Sequence, residues 1–205
     1  MNAIQETIMY FEKGGLVMWP LLFCSMAVVA IAIERFLFYK SMDSGQKFTA
    51  EYCGLLRQDR MAEAQKLAEE SVGKCAAMVA DAGKLYGTRA QKQAYLESQA
   101  GIFIAQLRDK LDYLSIIVTM SPLLGLLGTI VGMIGAFSIF NVQAGVPLAI
   151  TGGIGEALIA TASGLCVAIL SLCAHSYFSH RMDNIITEME QCFSALLEAI
   201  TRSED

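Results

Sequence analysis

Charge is scarce in this chain. Only 17% of its 205 residues are charged while 55% are hydrophobic, which excludes an ordinary soluble domain of this size and makes a membrane protein the leading class. The net charge of −5 comes without any basic, aromatic-rich patch or RNA-binding signature, so nucleic acid is not an expected partner. No C-x-x-C pair occurs among the scattered cysteines Cys24, Cys53, Cys75, Cys166, Cys173 and Cys192. Three of them fall inside apolar runs, where a thiol behaves as a small hydrophobe, so neither a disulfide framework nor a zinc site is expected. His175 and His180 lack a Cys or carboxylate at ligand spacing and read as interfacial side chains, and no metal or cofactor is expected. There is no linker rich in Pro, Gly or Ser, and no internal repeat.

The motifs of membrane enzymes are missing as well. Neither H-E-x-x-H nor G-x-S-x-G occurs, and no second carboxylate accompanies the one found within the long apolar runs. The stretch "GLLGTIVG" has the look of a phosphate loop but follows no strand pattern and lacks the lysine. An enzyme is therefore not expected.

What is present is apolar sequence in three blocks. Residues 16–33, "LVMWPLLFCSMAVVAIAI", are uncharged and long enough to cross about 30 Å of hydrocarbon. Glu6 and Glu12 precede this run where a signal peptide would be basic, and Glu34-Arg35 closes it, so a retained helix is expected. The second block runs from Leu114 to Phe140 and the third from Pro147 to Cys173, joined by a short uncharged turn that makes them a helical hairpin. Pro122, Gly125, Gly128, Gly132 and Gly135 would weaken a soluble helix; in a bilayer such residues let neighbouring helices approach closely.

Basic residues lie near one set of span ends: Arg35, Lys40 and Lys47, then Arg108 and Lys110, then Arg181. The positive-inside rule then gives an N-terminus outside and a C-terminus inside. The resulting plan is an all-α, polytopic inner-membrane protein with three transmembrane helices, two of them extended into the cytoplasm as long helices. Its segments are an N-terminal periplasmic amphipathic segment (1–15), a first span (16–38), a cytoplasmic helical loop (39–110), a second span (111–140), a short periplasmic turn (141–147), a third span (148–174) and a cytoplasmic helical tail (175–205). Within the loop, residues 89–114 carry Tyr95, Ala100, Phe103, Leu107, Leu111 and Leu114 at spacings of three to five, which predicts one helix entering the second span unbroken. In the tail, Met182, Ile185, Ile186, Met189, Phe193, Leu196, Leu197 and Ile200 form an apolar stripe that predicts a helix packed on the loop helices.

One residue contradicts its surroundings. Glu156 stands in "TGGIGEALIATASGLCVA" (151–168), about nine residues into the third block and so roughly 13 Å deep. A charge there costs at least about 2.5 to 3.5 kcal/mol, and such residues face a bundle interior or a water path. Gly152, Glu156, Ala160 and Gly164 recur every four residues, and Gly153, Gly155 and Ser163 widen the small-residue face, which predicts close packing there. No Lys or Arg of the chain reaches that depth. Glu156 is then protonated, water-exposed or balanced by another chain, with a carboxylate that merely bonds between helices as the plainer alternative. Thr129 and Thr161 are the other polar groups at depth, and either hydroxyl can simply bond a carbonyl three or four residues back. Thr161 lies five residues past Glu156, about 140° around a straight helix, so the two do not share one narrow face.

The segments "SPLLGLLGTIVGMIGAF" (121–137) and "GIGEALIATASGLCVAI" (153–169) resemble the paired core motifs of the MotA/TolQ/ExbB proton-channel family, closest to its ExbB and TolQ branch. The first span, "MWPLLFCSMAVVAIAIERF" (18–36), resembles that branch too. The four spans and larger cytoplasmic region of MotA-type stators are not matched. The resemblance implies a homopentamer in the membrane lipid, a single-span partner of the ExbD or TolR type in the central pore, and a periplasm-spanning partner of the TonB or TolA type. It also implies that Glu156, Thr129 and Thr161 line the ion path. The function so implied is a proton-channel motor subunit energising TonB-dependent outer-membrane transport. A TolQ-like subunit for envelope maintenance and a non-conducting membrane scaffold are the alternatives.

Overall fold

The computed structural model describes residues 11, 14–142 and 147–204. Of the predicted N-terminal segment (1–15) only residues 11, 14 and 15 are among them, and of the predicted turn (141–147) only 141, 142 and 147; the rest of both expectations lies outside the described residues. The described secondary structure is helical: α1 (Met18–Met42), α2 (Gln46–Arg57), α3 (Met61–Glu70), α4 (Lys74–Lys84), α5 (Arg89–Arg108), α6 (Leu111–Val142) and α7 (Pro147–Glu204). Three helical stretches are long and apolar enough to cross a membrane, matching the all-α polytopic plan.

The residues fall into two compact units, Met1–Ile33 with Lys110–Ser176, and Glu34–Asp109 with Tyr177–Asp205. In the first, α6 and α7 pack as an antiparallel hairpin along a seam of small residues. A Cβ built on Gly125 would lie 3.1 Å from the Thr161 Cα, one on Gly128 would lie 2.4 Å from the Ala160 Cβ, and one on Gly132 would lie 3.0 Å from the Gly153 carbonyl oxygen. As numbers rise on α6 they fall on α7. Missing side chains let the two backbones touch, which is how apolar helices associate when lipid offers no hydrophobic gain for doing so. Serine hydroxyls sit in the same seam: Ser171 donates to the Leu114 carbonyl at 3.0 Å, and Ser121 is fully buried. The outward positions carry large apolar side chains, among them Trp19, Phe23, Met26, Leu123, Ile134 and Leu158, all more than half exposed apart from the chain itself. That is the surface expected where lipid is the solvent.

The second unit has the inverse pattern, with polar residues outside and a core of Tyr52, Leu56, Val79, Leu96, Phe103, Leu107, Met189 and Leu196. The apolar stripe of the tail is buried at Met182, Ile185, Met189, Phe193, Leu196 and Ile200. Helix α5 opens on a capping box, the Thr88 hydroxyl accepting from the Gln91 N–H while the Gln91 side chain accepts from the Thr88 N–H.

The expected unbroken helix over 89–114 does not form. α5 stops at Arg108 and α6 begins at Leu111, because Lys110 adopts a left-handed backbone with φ 65°. Helical periodicity runs through the break, so the apolar spacing gave no sign of it. The carbonyls exposed at the end of α5 are taken by side chains from α1: Arg35 donates to the Gln106 carbonyl at 2.9 Å and the Tyr39 hydroxyl to the Leu107 carbonyl at 2.8 Å. A cation at a helix C-terminus also meets the negative end of its dipole. The helices that do run on beyond their apolar blocks are α1, which ends at Met42, and α7, 58 residues long in all, which ends at Glu204.

The six cysteines are all free thiols. Cys53, Cys75 and Cys192 come together in the second unit, where hydrogen bonding to Cys192 and burial push the Cys53 thiol well above the usual range. Cys192 is pushed up to about 12: the hydrogen bond with Cys53 acts to lower it, and is outweighed by the bond with Cys75 together with burial. Such thiols stay protonated and poorly nucleophilic.

Candidate functional site: an acidic side chain on the third long helix

Glu156 sits on α7, half-buried within the first unit. On one side of it, Ala157 and Ala160 are buried against α6, their methyl groups filling the space left by Gly132 and Gly128. On another side lies the start of the chain's first long helix. A Cβ on Gly15 would stand 1.8 Å from the Glu156 Oε1 and 2.8 Å from its Cδ, so the carboxyl group rests against the Gly15 backbone. Among the described residues no cation pairs with this carboxylate and no hydrogen bond reaches it. Among the described residues, nothing lies within 4 Å of where a Cβ on Gly152 or Gly155 would stand, leaving that part of the small-residue face open.

Thr161 is half-buried and uses its hydroxyl at the helix seam, donating across to the Gly125 carbonyl at 3.1 Å and back along its own helix to Ala157 at 3.2 Å. Thr129, on α6, donates to the Leu126 carbonyl three residues back at 2.7 Å. Glu156, Thr129 and Thr161 are thus on neighbouring helices of one unit without any hydrogen bond joining them. Pro122 lies inside α6, and of the glycines singled out by spacing, Gly125, Gly128, Gly132 and Gly164 sit in the α6–α7 seam.

Three residues of this neighbourhood escaped the spacing argument. Gly15 was masked by its place just before an apolar run, where the doublet Gly14-Gly15 was the available signal. Ser121 and Ser171 were hidden because serine inside an apolar block carries no periodicity of its own. Among the described residues, no group of three or more His, Cys, Asp or Glu side chains is disposed to hold a metal ion. What the arrangement offers is a carboxyl group in the apolar stretch of α7, set in a unit whose outward described positions are apolar.

A sequence match to the MotA/TolQ/ExbB proton channel family spans residues 60–191. The chain belongs to that family. Within it, the biopolymer transport protein ExbB-like 3 of Synechocystis is 35% identical over 164 residues, covering 78% of either chain. Biopolymer transport protein exbB1 of Vibrio cholerae is 27% identical over 204 residues, covering 95% of this chain and 90% of the relative. The Tol-Pal system protein TolQ of Pseudomonas aeruginosa is 38% identical over 82 residues, covering 40% of this chain and 36% of the relative. This chain is therefore an ExbB/TolQ-type proton-channel subunit of a membrane complex, a multi-pass bacterial inner-membrane protein from a family of channels.

Proposed function

We propose that this chain is the ExbB-like subunit of a proton-driven motor that energises TonB-dependent transport across the outer membrane. Five copies would surround a pore occupied by the single helix of an ExbD-type partner, and the assembly would deliver force to a TonB-type protein spanning the periplasm. The observation that carries this reading is the lone carboxyl group, Glu156, within the apolar, small-residue stretch of α7 in a proton-channel family member. Matches over nearly the whole chain to an ExbB-type relative favour the ExbB role. The higher local identity to a TolQ protein favours the second reading, an envelope-maintenance subunit.

In this reading Glu156 exchanges protons along the path, and Thr129 and Thr161 line it with hydroxyls. Each proton crossing 100 mV contributes about 2.3 kcal/mol from the electrical part of the driving force. A few such events would suffice to bias a repacking of helices, if the seam has a second arrangement of similar energy to move to. The open face at Gly152 and Gly155 is where a neighbouring chain would approach. Basic residues flanking the spans support an N-terminus in the periplasm and a C-terminus in the cytoplasm.

The test is Glu156→Gln in assembled complexes. Glutamine keeps the size and polarity of the side chain but cannot ionise, so proton-dependent transport should fall to background while assembly with the partner persists. Full transport by that variant would remove Glu156 from the relay.

A further inference from the structure

The residues just ahead of α1 do more than lead into it. The Gly14 N–H donates to the Phe11 carbonyl at 3.3 Å and the Met18 N–H to the Gly15 carbonyl at 3.2 Å, closing a turn in which Gly15 has φ +70°. That left-handed conformation disfavours most residues that carry a Cβ. Space forbids a side chain there as well, since a Cβ on Gly15 would stand 1.8 Å from Glu156 Oε1, while one on Gly14 would lie 3.3 Å from Ile159 Cγ2. Residues 156 and 159 are neighbours on one face of α7, so the turn lies along that face. It is anchored directly afterwards: Val17, Met18 and Leu21 are all more than nine-tenths buried, and the Val17 side chain lies 3.7 Å from where a Cβ on Gly128 would be.

Two independent demands, conformation and clearance, therefore meet at one glycine. The carboxyl group that the proton relay would use is the atom group filling the clearance. We propose that Gly15 is a positioning residue for Glu156: its bare backbone forms one wall of the slot in which the carboxyl group lies, and the turn restricts approach to that group from the start of α1. This rests on the proton-relay reading of Glu156. A side chain at position 15 would drive the carboxyl group out of its slot or lift the turn from α7, and either displacement exposes the carboxyl group.

The experiment uses the full chain in membranes with its partner, and dicyclohexylcarbodiimide, an apolar reagent for protonated carboxyl groups, as the probe. Modification of Glu156 is followed by mass spectrometry. Gly15→Ala should raise the modification rate about tenfold, the scale of one to two kcal/mol in an opening equilibrium, and should lower proton-driven activity by a similar factor or more, since misplacing a reacting group by about 1 Å costs up to 10²-fold. In Glu156→Asp, whose side chain is one methylene shorter, the same Gly15→Ala change should raise modification about threefold less, because backbone strain remains but the collision is relieved. Gly101→Ala, at a helical position where nothing among the described residues lies within 4 Å of the added Cβ, serves as the control and should leave the rate unchanged. Should Gly15→Ala fail to accumulate, Gly15→Asn, which enters left-handed conformations more readily, carries the same expectations.

An unchanged modification rate in the position-15 variants, or equal rises with the glutamate and the aspartate, would overturn the proposal. Full transport by Glu156→Gln would instead overturn the relay reading and leave the modification result to decide the contact by itself.

Discussion

The Arg35 guanidinium donates to the main-chain carbonyl of Gln106 at 2.9 Å, joining residues 71 positions apart. Arg35 is 3% exposed, pairs with the Glu34 carboxylate at 2.7 Å, and lies 4.6 Å from the centre of the Phe38 ring. With the Tyr39 hydroxyl on the next carbonyl, it closes the end of α5 at the point where the chain turns through Lys110. A basic residue at the edge of an apolar run thus acts as a helix cap for a distant segment.

Arg35→Met should for that reason destabilise the detergent-solubilised protein by about 2–3 kcal/mol, the range for a charge-assisted hydrogen bond whose acceptor is left behind. Tyr39→Phe should cost about 1 kcal/mol. The two act on adjacent carbonyls of one helix end, so the double variant should cost less than the sum. Thermal unfolding followed by helical circular dichroism measures all three.

The α6–α7 seam predicts an asymmetry between glycines. A Cβ on Gly164 would stand 2.6 Å from the Ser121 carbonyl oxygen and 3.0 Å from the Gly125 Cα, backbone atoms with little freedom to yield, whereas among the described residues nothing lies within 4 Å of where a Cβ on Gly135 would stand. Gly164→Ala should lower stability by about 1–3 kcal/mol, as overpacking does. Gly135→Ala should lower it by none. Unfolding in a denaturing detergent titration separates the two outcomes.

A pH effect is expected at Glu188, in the second unit. Burial, then the Asp43 carboxylate, raise its affinity for the proton, and Arg181 opposes them. The folded chain then binds this proton more tightly than the unfolded one, so stability is greatest below the ordinary glutamate range near about 4.3 and declines as pH rises from there through the raised value. Glu188→Gln should therefore be more stable than the native chain at neutral pH and no more stable at acid pH. The group is half-exposed and screened by solvent, which keeps the gain under about 1 kcal/mol. Unfolding midpoints compared across pH would show convergence on the acid side; a constant difference at every pH would contradict the assignment.

Much of this was readable from residue order. Three uncharged blocks required three helices able to cross a bilayer, since only a helix satisfies every backbone group within one segment. A carboxylate in the middle of an apolar run singled out Glu156, and the resemblance at 121–137 and 153–169 fell on the same residue. The glycine spacing on α6 marked the face that meets α7, and the tail's apolar stripe marked the buried side of its helix.

Other features were decided by contacts between distant segments. The break at Asp109–Lys110 lies inside a continuous helical pattern, and its exposed carbonyls are satisfied only because α1 brings Arg35 and Tyr39 to them. The placement of Gly15 against Glu156 joins residues 141 positions apart, counted from 15 to 156, and no periodicity encodes such a pair. Hydropathy and helical spacing are local sums over neighbours, so sequence alone determined which segments are helices, which are fit for lipid and which acidic residue stands out. Which carbonyl a side chain caps and which backbone a carboxyl group touches depend on where separate helices meet in space, and tertiary packing decided those.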